Sequence, residues 1–235
     1  MDAHDVMQML GLKRVPVAIA FVQEIPAGIP RVPRQEPSGC SYWKLAAQGH
    51  VFYATPEDHF GCPLGAYVHG LSLPEEADKQ LRELLRMMDE LDYLKPGELS
   101  RTPRLGGSWA AVVYAPLHRA QFPPDVLIFA GQARQMMLLL EAAQVAGLAV
   151  QPVSARPACS MIPAVEQSGG VVTNLGCIGN RVYTELGDDE FYLALPAARW
   201  AELEQALVRI CQANCQLENY HCGRQELYLV EASRG

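Results

Sequence analysis

The chain has 235 residues, of which 49% are hydrophobic and 19% are charged, so it is long enough for one large core or two small ones. Its formal net charge of −7 gives no general attraction to nucleic acid or to an anionic membrane. No apolar run of about 18 residues predicts a transmembrane helix, and the acidic start MDAHDVMQML does not resemble a secretory signal. We therefore expect a cytoplasmic prokaryotic protein without nucleic-acid or membrane partners.

The first half of the chain predicts three strands and two helices. The apolar, β-branched run VPVAIAFV at 15–22 predicts a buried strand, and a proline-rich stretch after it predicts an ordered loop. CSYWKLAAQG at 40–49 predicts a short helix that stops at a glycine, and HVFYAT at 50–55 predicts a strand. A glycine-flanked turn around Cys62 precedes an amphipathic helix at 74–94 and a buried strand at 109–117.

The second half of the chain shows a similar order of elements. A strand at 124–131 and a helix at 132–147 lead to the Cys-Ser segment at 155–170. The strand VVTN, a turn around Cys177, a strand at 189–196 and a closing helix follow. Cys40-Ser41 thus corresponds to Cys159-Ser160, and Gly61-Cys62 corresponds to Gly176-Cys177.

This correspondence indicates an internal pseudo-repeat, although two generic units could also look alike. We predict one α/β domain over residues 1–235, composed of two similar βαβ-rich halves around a mixed sheet. The halves cover about 13–120 and about 123–210, and a cysteine-containing tail covers 211–235.

Four cysteines, Cys40, Cys62, Cys159 and Cys177, are the candidate ligands of a metal centre. A pseudo-two-fold axis would bring them together, and converging thiols in a reducing compartment are stabilised by a metal. The chain has no C-x2-C pair of the kind that zinc sites use, whereas Gly/Pro loops can donate backbone N–H groups to a cluster. The pattern therefore favours an iron–sulfur cluster of the 4Fe-4S type. Another metal, a redox dithiol and simple packing of free cysteines are the alternatives.

Residues near these cysteines are candidates for a supporting role. His59 precedes Cys62 by three residues and could be a ligand, a donor to a cluster sulfur or a proton carrier, or simply a histidine bonded to backbone. Arg181 could offset cluster charge or pair with Glu185 on a helix face. The glycines that could supply backbone donors are Gly61, Gly65, Gly176 and Gly179.

The tail has its own set of potential ligands, which are Cys211, Cys215, His221 and Cys222. Their spacing matches no zinc pattern, so metal binding is the weaker interpretation here. Cys211 and Cys215 are four residues apart on one face of the last predicted helix, so packing in the core is the stronger interpretation of this pair.

The segments CSYWKLAAQG…FYATPEDHFGCPLGAYVHG and PDVLIFAGQARQMMLLLEAAQ…ACSM…NLGCIGNR…DDE carry a family resemblance. Over about residues 13–205 the chain resembles the prokaryotic cysteine-rich family called domain of unknown function 169. The resemblance implies a single domain, an intracellular prokaryotic setting and shared cysteine positions. It implies no activity, and the tail cysteines lie outside it.

These observations lead to three functional hypotheses. The first is an iron–sulfur protein in redox, electron transfer or sensing, with a redox partner protein or a small-molecule ligand. The second is a metal-free enzyme or small-molecule binder with a reactive cysteine between the halves. The third is an interaction protein whose cysteines only pack. Whether the protein is an enzyme, and whether it forms a homo-oligomer, stay open.

Overall fold

A six-stranded antiparallel sheet forms the centre of the protein, whose computed structural model describes residues 3–152 and 154–232. The strands are β1 (Val17–Val22), β2 (Phe52–Ala54), β3 (Ala111–Pro116), β4 (Val126–Gln132), β5 (Val172–Asn174) and β6 (Glu190–Pro196). Their order across the sheet is β2-β3-β1-β4-β6-β5. All six strands predicted from the sequence are confirmed.

Nine α-helices occur within the described residues. They are α1 (Ala3–Leu10), α2 (Gly39–Ala47), α3 (Pro63–Val68), α4 (Glu75–Glu90), α5 (Pro96–Leu99), α6 (Ala133–Val145), α7 (Met161–Ser168), α8 (Ile178–Thr184) and α9 (Trp200–Ala232). The predictions of α2, α4 and α6 are confirmed. The segments predicted as turns after Cys62 and Cys177 are instead the short helices α3 and α8. The last helix, α9, extends into the predicted tail as far as Ala232, and the end of that tail lies outside the described residues. None of the helices in the described part is long and apolar enough to cross a bilayer.

The prediction of a mixed sheet is wrong, because every pairing between the six strands is antiparallel. β3 lies between β1 and β2, so the two strands that α2 connects point the same way without being neighbours. In the second half, β6 separates β4 from β5 in the same manner. A βαβ pattern in the sequence does not reveal that a later strand inserts between its two strands.

The pairing of the two halves at the centre of the sheet is short. β1 and β4 are in register over three residue pairs, from Val17–Ile128 to Ile19–Val126. β1 and β3 are paired over the full length of each strand, and so are β4 and β6. Few strand hydrogen bonds therefore join the halves directly.

Alternate strand residues face two separate hydrophobic clusters, one on each side of the sheet. Val17 and Ile19 belong to the first cluster, whereas Ala18 between them belongs to the second. Side chains of α2, α3 and α7 complete the first cluster, and those of α1, α6 and α9 complete the second. Cys40 and Cys159 are buried in the first cluster, so the predicted site lies on that side of the sheet.

Candidate functional site

The four predicted ligand cysteines, Cys40, Cys62, Cys159 and Cys177, line a single cavity of about 300 Å³. Each comes from a different segment of the chain. Cys40 is in the first turn of α2, and Cys62 immediately precedes α3. Cys159 is in a 3₁₀ turn before α7, and Cys177 immediately precedes α8. The structure thus brings together four thiols that are up to 137 residues apart in the sequence.

The local structure at the starts of α2 and α3 positions two of these thiols. Ser38 caps α2, because its hydroxyl oxygen accepts the backbone N–H of Cys40 at 3.3 Å. The same hydroxyl lies 4.0 Å from Cys62 Sγ and links the two segments. Pro63 occupies the first position of α3, where its fixed φ and missing N–H suit a helix start. Both thiols therefore stand at helix starts, where backbone N–H groups are free of helical partners.

Burial sets the protonation state of the two inner thiols. Cys40 and Cys159 are 5% and 6% exposed, and burial raises the pKa of both thiols well above the usual range. The charge of a neighbouring cysteine adds to this: Cys62 raises the pKa of Cys40, and Cys40 raises that of Cys159. Both side chains are therefore neutral thiols at pH 7 in the metal-free protein. A metal or cluster that binds them must displace their protons.

The remaining wall of the cavity is mainly apolar. Leu84 and Met88 of α4 line it, together with Leu94. Arg156 is the one charged residue among the described lining residues. Its guanidinium lies 4.9 Å above the ring of Tyr93 and forms a 3.3 Å ion pair with Glu98 at the surface. The thiols thus face a cavity of low polarity, in which a bound charged group would interact strongly with its ligands.

His59 is fixed in the core, away from the cavity lining. Its Nδ1–H donates to the carbonyl oxygen of Thr55 at 2.8 Å, and its Nε2 accepts from the hydroxyl of Tyr114 at 3.0 Å. Burial lowers the pKa of His59 to about 4, so the ring is neutral at pH 7. Because both ring nitrogens are already bonded, His59 supports the segment before Cys62 and has no free N–H for a cluster sulfur.

The predicted glycines divide into two groups. Gly61, Gly65 and Gly179 line the cavity, whereas Gly176 does not. Gly65 lies so close to Cys62 that a Cβ there would be 2.9 Å from the Cys62 sulfur. The glycine in α3 therefore leaves room for this thiol in its present position.

Arg181 forms hydrogen bonds that hold α8, the helix that follows Cys177, in place. Its guanidinium donates to three carbonyl oxygens, those of Leu175 at 2.6 Å, Gly187 at 2.8 Å and Glu190 at 3.1 Å. It does not line the cavity, and the suggested ion pair with Glu185 is wrong, because Glu185 pairs with Lys44. Its role in this structure is to hold the start of α8 against β6.

Sequence reasoning missed Asn180, which lines the cavity from α8. This residue is 2% exposed, and neither its side-chain nitrogen nor its side-chain oxygen has a hydrogen bond of normal geometry. The amide lies close to the Cys40 thiol. It lowers the pKa of that thiol and so offsets a part of the increase that burial causes. Its position three residues after a predicted ligand was the one signal in the sequence, and burial cannot be read from that spacing.

The tail residues lie apart from the four-cysteine cavity. Cys211, Cys215 and His221 line a separate groove between α6 and α9, and Cys222 is exposed. Cys211 packs against the second hydrophobic cluster. Across residues 3–152 and 154–232, no group of three or more His, Cys, Asp or Glu side chains could hold a metal ion.

Comparison with known proteins gives a family and one distant relative. The family model for domain of unknown function 169, described as uncharacterised ArCR, matches residues 5–206. An uncharacterised protein of Methanocaldococcus jannaschii is 25% identical over 222 residues, which cover 88% of this chain and 92% of the relative. No solved structure gives a significant match. The matched region contains all four cavity cysteines and ends before Cys211.

Proposed function

This chain belongs to the uncharacterised ArCR family, domain of unknown function 169, and we propose that it is an iron–sulfur protein of that family. The ligands are Cys40, Cys62, Cys159 and Cys177, the cluster is of the 4Fe-4S type, and the role is redox, electron transfer or sensing. One observation carries the proposal: four thiols from four separate segments line the same cavity.

The donor set suits a cluster better than a single ion. A single ion draws its ligands onto one point, and no such group occurs among the described residues. A four-iron cluster takes one thiolate at each iron, so its ligands can stand further apart. The chain also lacks the short C-x2-C pairs typical of structural zinc sites.

The surroundings of the thiols fit a group that carries negative charge. Glycines 61, 65 and 179 line the cavity and allow backbone to approach closely. The apolar side chains of α4 would limit the access of water, which influences the potential of a cluster. When bound, the cluster would supply one-electron chemistry. The chain itself would hold the cluster with four thiolates, give up the thiol proton of each ligand cysteine, and limit the access of solvent.

A duplicated origin of the fold is part of this proposal. In the strand order β2-β3-β1-β4-β6-β5, each strand of one half has a counterpart at the mirrored position. Parallel bridges Arg31–Tyr53 and Ser154–Asn174 attach the loop before each Cys-Ser segment to the outer strand of its half. A two-fold relation of this kind explains why each half supplies two cavity cysteines. All seven cysteines are free, which fits a reducing compartment such as the cytoplasm.

Anaerobic reconstitution with iron and sulfide tests the cluster. We expect a brown protein with broad absorption near about 400 nm and about four iron and four sulfide per chain. Serine at any of the four cavity cysteines should reduce iron content and colour. Cys211→Ser and Cys215→Ser are the matched controls and should retain both. Wild-type iron uptake by a cavity variant would remove that cysteine from the ligand set, and a colourless wild-type protein would refute the proposal.

The same cavity supports a second candidate function, the binding of a small molecule without metal. Its volume of about 300 Å³ is at the lower end of the range for ligand sites, and its walls are mainly apolar. Cys62 and Cys177 are both half-buried and would be the accessible thiols. The raised pKa values of Cys40 and Cys159 make those two poor nucleophiles. Metal-free protein with one thiol that reacts rapidly with iodoacetamide, located at Cys62 or Cys177, would favour this function.

A further inference from the structure

The carboxamide of Asn180 is a buried polar group that makes no hydrogen bond of normal geometry in the described structure, and its nearest polar neighbours are the Cys40 thiol and the Tyr192 hydroxyl. The residue is 2% exposed, and both polar atoms of its side chain are unsatisfied. Leaving such a group unpaired in the protein interior is costly, and most buried polar groups are therefore hydrogen-bonded. Asn180 lines the four-cysteine cavity, so an occupant of that cavity can provide the missing partner.

The backbone around Asn180 is firmly held. The hydroxyl of Thr184 donates to the Asn180 carbonyl oxygen at 2.8 Å, and the hydroxyl of Tyr192 donates to Thr184 at 3.0 Å. On the other side, a Cβ at Gly176 would come within 2.8 Å of Asn180 Oδ1. Gly176 was predicted to support the site, and this contact gives it a specific role, which is to leave room for the amide.

The position of Asn180 relative to two ligand cysteines defines what it can contact. It follows Cys177, the residue immediately before α8, by three residues, and both residues line the cavity. Its amide also lies near the Cys40 thiol, which comes from the other half of the chain. A single amide thus stands between ligands from both halves.

We propose that Asn180 is a positioning residue whose side-chain N–H donates a hydrogen bond to the Cys40 sulfur when that sulfur is a thiolate ligand. This inference rests on the proposed cluster. A donor to a ligand sulfur stabilises the more negative, reduced state of a cluster and so raises its reduction potential. Asn180 would therefore tune the potential without binding iron itself.

The test compares Asn180→Leu with the wild-type protein in two states. In the metal-free protein, leucine removes an unsatisfied amide and keeps a similar volume, so the melting temperature should stay the same or rise. In the reconstituted protein, loss of the donor should lower the reduction potential. We expect about a tenfold smaller ratio of reduced to oxidised cluster at a fixed potential, which is about 59 mV for one electron.

Thr173→Val is the matched control, because Thr173 Oγ1 is also buried and unsatisfied but does not line the cavity. It should leave the potential unchanged. Asn180→Ala removes the amide without the branched side chain and should shift the potential in the same direction as leucine.

The outcomes separate this inference from the proposed function. Wild-type protein that takes up no iron overturns the proposed cluster and this inference together. Loaded Asn180→Leu and Asn180→Ala with unchanged potentials overturn only the inference. A lower melting temperature for both metal-free variants also overturns it, because the amide would then have a structural partner. Redox titration followed by visible absorption, with iron analysis and thermal unfolding, supplies all the readings.

Discussion

Replacing Gly65 by alanine should impair iron uptake in the cavity and leave the free energy of unfolding almost unchanged. The added Cβ would lie 2.9 Å from Cys62 Sγ and 3.7 Å from Cys62 Cβ, so the sulfur must move. The sulfur can rotate about one side-chain bond, and the backbone need not shift. The substitution is therefore expected to move a proposed ligand while it leaves α3 intact.

The expected change in stability is small because two effects oppose each other. Alanine in a helix is favoured over glycine by about 0.5–1 kcal/mol. Moving the Cys62 side chain out of its preferred rotamer costs about 0.5–1.5 kcal/mol. The free energy of unfolding of metal-free Gly65→Ala should therefore lie within about 1 kcal/mol of the wild-type value. Iron uptake should be largely lost, because the added Cβ displaces the sulfur of a proposed ligand.

A double-mutant cycle with Cys62→Ala isolates the contact between these two residues. Without the sulfur, Gly65→Ala should stabilise the metal-free protein by about 0.5–1 kcal/mol, so the coupling energy is about 0.5–1.5 kcal/mol. Urea unfolding under reducing conditions measures it. Gly97→Ala is the control for iron uptake, because a Cβ at Gly97 meets no atom within 4 Å. Equal effects of Gly65→Ala in both backgrounds, with normal iron uptake, would falsify the reasoning.

Three further predictions concern pH and backbone conformation. The pKa of His59 is lowered from 6.5 to about 4, so the unfolded chain binds this proton at higher pH than the folded protein. Stability should fall as the pH decreases from about 6.5 to 4, by about 3 kcal/mol from this group, and urea unfolding of His59→Leu should show a weaker dependence. Burial raises the pKa values of Cys40 and Cys159, so binding of a cluster in the cavity should release protons and become tighter as the pH rises. Calorimetry in buffers of different ionisation enthalpy measures the number of protons released. Gly70 has a φ of +70°, and a Cβ there would overlap the carbonyl oxygen of Leu105. Gly70→Ala should therefore lower the free energy of unfolding by about 2 kcal/mol or more. A smaller loss, measured by urea unfolding, would contradict this prediction.

The strands and the grouping of the cysteines could be predicted because both have local signals. The run at 15–22 is apolar and β-branched, as a buried strand requires, and β1 occupies Val17–Val22 within it. The similar contexts of Cys40 and Cys159, and of Cys62 and Cys177, indicated that the four belong together. Their shared cavity agrees with that interpretation, whereas the occupant of the cavity stays a prediction.

The remaining features depend on contacts between distant segments. The insertion of β3 between β1 and β2 is set by strand pairing across the sheet, which no short stretch of sequence encodes. Glycine and proline after Cys62 suggested a turn, although proline also begins helices, and Pro63 does so here. Asn180 looked like an ordinary polar residue because its burial depends on packing around α8.

Because the β1–β4 pairing is short, an occupant of the cavity would add a second connection between the two halves of the sheet. Cys40 and Cys62 belong to the first half of the chain, and Cys159 and Cys177 belong to the second, while only three residue pairs join the halves at the centre of the sheet. Any occupant held by all four thiols would act as a cross-link between the halves. Because such an occupant binds only the assembled fold, its affinity would add directly to the cohesion of the whole molecule. Loss of the occupant would then remove this cross-link and leave the halves joined by the β1–β4 pairing and by the two hydrophobic clusters, each of which contains residues of both halves.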